Sequence, residues 1–137
     1  MLNTGRVRDH WHTMTRTGKA GRLSAHLAEP FAELHPDDAA EKGIRHASLV
    51  RLENRQGSVL VRALVTERQQ RGSVFVPMHW TDRFSAQGRI DTLVSGQVDP
   101  QSGQPALKSA MVAAEPALAR RYGFAVSRMR PQLAGAD

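Results

Sequence analysis

The sequence predicts a mainly β domain with one or two short helices, closed into a compact barrel. Three features lead there. Two runs alternate apolar and charged residues around a polar turn, the remaining apolar runs are short, and only one segment carries both a helix start and a helix stop.

Taken in order, residues 1 to 30 mix Gly, Thr, Arg and His without sustained apolar period, which reads as a short strand followed by a long loop. Long ordered loops are usually functional. In HPDDAAEKGI, Pro36 suits a first helical position, Asp37 and Asp38 complement the positive helix end, and Gly43 terminates, so one short helix follows with His35 at its entry. SLVRLEN and SVLVRALVT flank the turn NRQG and read as a half-buried antiparallel hairpin with Arg51, Glu53 and Arg62 facing water. SVFVPMH is a further strand, with Pro77 near its end where the ladder tolerates it, and His46 reads as a loop residue. From Trp80 to Gly103 the pattern dissolves into a surface loop. PALKSAMVAAE then resumes apolar spacing as a closing strand, with a helix as the alternative, and the last fifteen or so residues are expected to be poorly ordered.

A chain of 137 residues fits one domain and buries roughly two thirds of its unfolded surface without staples. It has no cysteine, so it can build no disulfide, iron-sulfur cluster or thiolate metal site by itself. No apolar run approaches the length of a membrane span and no signal-peptide core opens the chain, so a soluble, cytoplasmic protein is expected. The formal charge is +6, and Arg6, Arg8, Arg16, Lys19 and Arg22 face a single acid, Asp9, within the first 22 residues. A second basic group, Arg120, Arg121, Arg128 and Arg130, reads as a solvated helix face or frayed tail.

The loop TGRVRDHWHTMTRTGKAGR combines glycines, threonine hydroxyls, two histidines around a tryptophan, and five cations. Such a set suits a phosphorylated heterocycle: backbone amides near Gly5 can approach a phosphate, Arg6 offers a planar pair of donors, Trp11 a flat face, and His10 or His12 a hydrogen bond. Residue types leave a plain basic surface loop equally open. His10 and His12 make only a weak two-ligand metal match, and His26, His35, His46 and His79 add no zinc spacing. A nucleic-acid module fits the basic charge, but aromatics are only 5% and form no stacking platform, so nucleic acid is an unlikely partner.

The stretch LNTGRVRDHWHTMTRTGKAGRL resembles the opening of the molybdopterin-dinucleotide-binding, carboxy-terminal domain of bacterial assimilatory nitrate reductases, and the likeness continues through AEPFAELHPDDAAEKGI, RGSVFVPMHW and VDPQSGQPALK. The HPDDA block is also similar to formate dehydrogenases and periplasmic nitrate reductases. The resemblance implies a double-psi β-barrel over residues 1–115, with 116–137 as a tail, helical or disordered, and a first strand shorter than the family's. It implies that Thr4, Gly5, Arg6, His10, Trp11, His12 and Thr13 contact a molybdopterin guanine dinucleotide, that Lys108 contacts it too, and that Met78 and His79 approach the site. Where the family commonly has Asn-x-Leu-Thr, IDTLV places Asp91, and a carboxylate there would repel phosphate. In the parent enzyme so implied, molybdenum is held by the sulfurs of two such pterins, iron-sulfur clusters lie in other domains, and nitrate is reduced to nitrite. The partners are then the remaining domains of the reductase, and the fragment alone is expected to be inactive. A formate dehydrogenase-like parent is the alternative.

Overall fold

The computed structural model describes residues 1–119 and 123. Six strands form one sheet: β1 (Leu2–Gly5), β2 (Phe31–Leu34), β3 (Leu49–Asn54), β4 (Gly57–Val65), β5 (Val74–Pro77) and β6 (Ala113–Pro116). Their order is β1-β5-β2-β4-β3-β6, with β1–β5 and β2–β4 parallel and the other pairs antiparallel. Helices α1 (Gly21–Ser24) and α2 (Pro36–Glu41) and two 3₁₀ turns, Thr17–Lys19 and Ile90–Leu93, complete the described elements. Among the described residues no helix is long and apolar enough to cross a membrane. The mainly β barrel expected from the sequence is the fold observed.

The hairpin forms as its alternation predicts. Val50 and Leu52 on β3 and Val59, Val61 and Ala63 on β4 enter the core, while Arg51 and Glu53 stay exposed. Each fully buried Val or Leu contributes about 1.5–3 kcal/mol relative to an exposed one. Asn54 makes the turn possible, its Oδ1 accepting from Gln56 N at 2.9 Å and its Nδ2 donating to Leu93 O at 2.8 Å. Arg62 departs from expectation. It is only partly exposed, and its guanidinium grips Glu29 at 2.9 and 3.1 Å. That hydrogen bond raises its pKa.

Helix α2 also follows its local signals. His35 caps it, with Nδ1 accepting from Asp37 N at 3.2 Å, Pro36 opens it, and Gly43 ends it at φ +66. His46 is a loop residue whose Nδ1 accepts from Val65 N.

Three parts differ from the sequence reading. The stretch from Trp80 to Gly103, expected as a surface loop, buries Trp80, Ile90 and Leu93, the last two on the 3₁₀ turn Ile90–Leu93 and in the core, because two apolar residues on so short a turn show no period in the sequence. Strand β2 carries no alternation because both of its faces are covered: Phe31, Ala32 and Leu34 are all buried and only Glu33 is partly exposed. The closing strand is shorter than PALKSAMVAAE. Residues 105–112 make only isolated bridges, Val98 to Pro105 and Leu2 to Ala110, before β6 begins. The reason is closure. Ala110 O accepts from Leu2 N at 2.8 Å on the free edge of β1, and three residues later the chain pairs with β3 at the opposite end of the sheet order. One segment thereby covers both edges, and it cannot stay in one ladder while doing so. β6 runs to Pro116, one residue beyond the expected barrel limit. Beyond it Ala117 N still donates to Leu49 O at 2.9 Å, and the basic tail residues Arg120, Arg121, Arg128 and Arg130 lie outside the described residues.

Candidate functional site

The parallel register of β1 and β5 assembles the site. Thr4 sits opposite Val76 and Gly5 opposite Pro77, so both strands end at the same rim, and the chain leaving β1 meets the chain leaving β5. Met78 N donates to Gly5 O at 2.9 Å and continues that pairing past Pro77, which has no N–H to give. The loop from Arg6 to Met14 and the segment from Met78 to Thr81 thus become neighbours although more than sixty positions separate them in sequence.

A cavity of about 200 Å³ opens at this rim, lined by Thr4, Thr13, Met78, Thr81, Arg89 and Asp91 among others. Four of the sequence-predicted site residues therefore meet there. Lys108, exposed, follows Leu107 in the cavity wall. Two larger hollows, of about 490 Å³ beside the hairpin turn and 370 Å³ beside α2, contain none of the predicted residues, so volume alone would not find the site.

Buried Thr4 donates its Oγ1–H to Leu107 O at 2.9 Å, tying the end of β1 to the residue before Lys108. Gly5 has a packing reason of its own: a Cβ there would lie 2.9 Å from Phe75 Cε2. Arg6 stacks over Trp11 at 4.8 Å, and Trp11 in turn meets the His12 ring edge-on at 4.4 Å. With Trp11 58% exposed, these three make a flat, cationic platform on the loop's outer side.

His10 turns the other way. It is buried, edge-on to Trp80 at 5.3 Å, with Nε2 toward Leu27 O at 3.3 Å and Nδ1 without a partner among the described residues. His10 and Trp11 are therefore not on one face, as a shared ligand contact would require. The loop is tightened by left-handed backbone at His12 (φ 44) and Met14 (φ 57), and by the buried Met14 side chain. His79 is fully buried. Its Nε2 accepts from Val7 N at 2.9 Å and its Nδ1 donates to His12 O at 2.7 Å. Both nitrogens are spent on the loop, so His79 has none left for a ligand. Burial, chiefly, pushes its pKa down.

Sequence reading missed Arg89. It lies between Asp82 Oδ2 at 2.7 Å and Asp91 Oδ1 at 3.1 Å. The second contact is close enough for charge but poorly aligned, because Nε is buried without a hydrogen bond. A guanidinium beside Asp91 offsets the repulsion its carboxylate would impose on a phosphate. At the loop's far side Asp9 is held by Arg8 at 3.1 Å and by His26, and the Arg8 bond, first, lowers its pKa. Arg8 is the one loop cation with an ion pair among the described residues; Arg6, Arg16, Lys19 and Arg22 have none.

Cationic loop, mainly apolar cavity with a few polar groups, and aromatic platform beside one rim of a barrel suit an anionic heterocyclic ligand. Residues 1–111 match the family described as the molydopterin dinucleotide binding domain. The chain belongs to that family. It is 43% identical to a nitrate reductase of Klebsiella oxytoca over 113 residues, 82% of this chain and 13% of that protein. It is 37% identical to the assimilatory nitrate reductase catalytic subunit of Bacillus subtilis over 78% of this chain and 14% of that one. A putative formate dehydrogenase of the same species is 34% identical over 83% of this chain and 11% of its own length. The fold matches acetylene hydratase from Pelobacter acetylenicus with a TM-score of 0.73 at 20% identity, over 85% of this chain and 18% of that one. The chain thus spans about an eighth of the curated relatives' length.

Proposed function

We propose that this chain is the cofactor-closing domain of a molybdenum-dependent assimilatory nitrate reductase, binding molybdopterin guanine dinucleotide at the rim where β1 and β5 end. The observation that carries the reading is the convergence of Thr4, Thr13, Met78 and Asp91 on one cavity, next to Lys108 and to a loop with four cations that have no ion pair among the described residues. The residues fit such a group. The hydroxyl of Thr13 and the buried, unbonded Nε of Arg89 offer polar contacts in a small, mainly apolar hollow, Thr4 can there only accept because its proton goes to Leu107 O, and the Arg6–Trp11 pair suits a planar ring beside a phosphate.

When bound, the cofactor supplies the metal centre at which nitrate exchanges an oxygen atom for two electrons. This chain's residues bind and orient. Arg6 and Lys108 attract the pyrophosphate, Thr4 holds Lys108 in place through Leu107, and Asp91, its charge shared with Asp82 by Arg89, accepts from an N–H of the ligand. Nitrate is preferred over formate as the substrate of the whole enzyme because identity to the nitrate reductase exceeds that to the formate dehydrogenase, 43% against 34%. Iron-sulfur centres and the remaining domains are its partners, the cytoplasm its place, and the chain alone turns over neither substrate.

Titration with guanosine diphosphate at two salt concentrations tests the binding reading. Amide shifts confined to Thr4–Thr13, 78–91 and Lys108, weakened by the change Lys108→Ala mostly at low salt, are expected. Shifts spread over all basic surfaces that vanish with salt would leave only a cationic domain. Nitrate reduction by the isolated chain with a reduced dye would overturn the assignment of turnover to other domains.

A further inference from the structure

His79 is the fully buried imidazole of the rim, and it bonds the loop at two points five residues apart. Val7 N–H can only donate and His12 C=O can only accept, so the two bonds, 2.9 and 2.7 Å, fix the ring as the neutral tautomer with the proton on Nδ1. Between the two anchored peptides lie Arg8 to Trp11, and at either end stand Arg6 and Thr13. We propose that His79 is a positioning residue: a neutral latch that sets the conformation of the Arg6–Thr13 loop for its ligand, and that releases the loop when the ring takes a second proton. The inference rests on the reading of that loop as a ligand-binding segment.

The geometry makes the latch depend on the protonation state. A proton on Nε2 would face the Val7 N–H head-on, donor against donor, in a site without water-accessible surface, and the bond would have to open. The charged and titratable groups acting on the ring are His10, Arg6 and His12, all on the loop that it holds. Each disfavours a positive charge at His79. The His12 carbonyl favours one, but it is already satisfied by the Nδ1 proton and gains no further bond. Trp80 lies beside the ring at 6.3 Å and His10 at 5.8 Å, while the hydrogen bond at Nε2 itself comes from the Val7 N–H, a donor.

The latch predicts an affinity trend opposite to simple electrostatics. Acidification can only add positive charge to a protein, so an unlatched cationic site would hold a given anion no less tightly at low pH. A latched site binds less tightly there, because its loop has come free.

The test uses the chain itself with guanosine diphosphate as the probe, the wild type beside His79→Gln and His79→Leu. Nitrogen NMR should show His79 Nε2 bare and Nδ1 protonated at neutral pH. Val7 amide protection, taken relative to the intrinsic exchange rate at each pH, should be high in the wild type, fall on acidification, and be low at every pH in the Leu variant, by roughly fivefold to tenfold for one lost bond. The Gln variant can accept and donate but does not titrate. Its affinity should therefore lose the acid-side fall seen in the wild type. An Nε2–H tautomer, or wild-type and Gln affinities with the same pH profile, would overturn the latch while leaving ligand binding intact. Absence of guanosine diphosphate binding at any pH would defeat the binding reading, and a bare Nε2 with a protected Val7 amide would then reduce His79 to a fold-stabilising residue, which also overturns the proposal.

Discussion

Replacing Thr4 by Val keeps the shape of a buried strand residue and removes one hydroxyl. That hydroxyl donates to Leu107 O at 2.9 Å across 103 positions of sequence. A net hydrogen bond of this kind contributes about 1 kcal/mol, and the partly buried carbonyl left without it adds to the loss, so Thr4→Val should cost roughly 1–2 kcal/mol. With a urea slope of about 1–3 kcal/mol/M, the unfolding midpoint should fall by roughly 0.3–2 M at unchanged slope. Thr4→Ser separates the bond from the bulk. It loses one buried methyl, about 0.8 kcal/mol, but retains the tie to Leu107. The two variants therefore fail differently: only Val should displace the amide signals of Leu107 and Lys108 and lower the affinity for guanosine diphosphate. A Val midpoint equal to wild type, or a Ser variant that moves the 107–108 signals as far as Val does, would refute the reasoning.

Gly88→Ala would place a Cβ 2.4 Å from Ser85 Oγ and 2.6 Å from Pro30 Cγ in a buried turn, and the proline ring cannot swing away, so a loss of about 1–3 kcal/mol by chemical denaturation is expected. His79 gives stability a pH dependence of definite sign. Its folded pKa lies below the ordinary 6.5, so the unfolded chain takes up the proton first; stability is complete above that pH and is lost as pH falls from 6.5 toward the folded value. Urea midpoints at pH 7.5 and 5.5 should show the fall in the wild type and a smaller one in His79→Gln. Arg71→Ala removes a partly exposed guanidinium lying 3.6, 3.5 and 3.0 Å from Asp37, Asp38 and Glu41; because exposed pairs are screened, the melting curve should move by no more than about 1 kcal/mol, and still less in high salt.

What was legible in the sequence was local. Pro36, two acids and Gly43 mark a helix within ten residues, and the alternation on either side of Asn54–Gly57 marks a hairpin, because each signal concerns a chain segment and its own solvent face. Phe31–Leu34 gave none, since a strand covered on both faces has no period to show. The site was legible only through the resemblance of its motifs. Composition alone put a cationic loop and a tryptophan in the first 22 residues, but the parallel register that sets Gly5 against Pro77 is a long-range pairing with no sequence period of its own. Arg89 was silent for the same reason: a lone arginine in a Gly- and Ser-rich stretch shows nothing until Asp82, Asp91 and the cavity surround it.

The same long-range pairing explains how a loop rich in positive charge can be held before any anion arrives. Like charges on Arg6, Arg16, Lys19 and Arg22 oppose a compact loop, and no carboxylate among the described residues pairs with them. The restraints are instead apolar or neutral: buried Met14, buried His10 against Trp80, neutral His79 bonded at both ends, and Arg6 laid over Trp11. None of them consumes a positive charge. A loop fastened by carboxylates would reach its ligand already neutralised, whereas one fastened by rings and backbone bonds presents its charge undiminished. The exception is Arg8, fixed by Asp9 and, through Asp9, to His26 beyond α1. Substituting Asp9 by Asn should therefore loosen the loop's attachment near His26 while leaving the Arg6 and Lys108 contacts to the ligand in place, so guanosine diphosphate affinity at low salt should hold or rise as one negative charge is lost. A fall in affinity at low salt equal to that of Lys108→Ala would mean that the ion pair, and not the ring and backbone contacts, is what shapes the site.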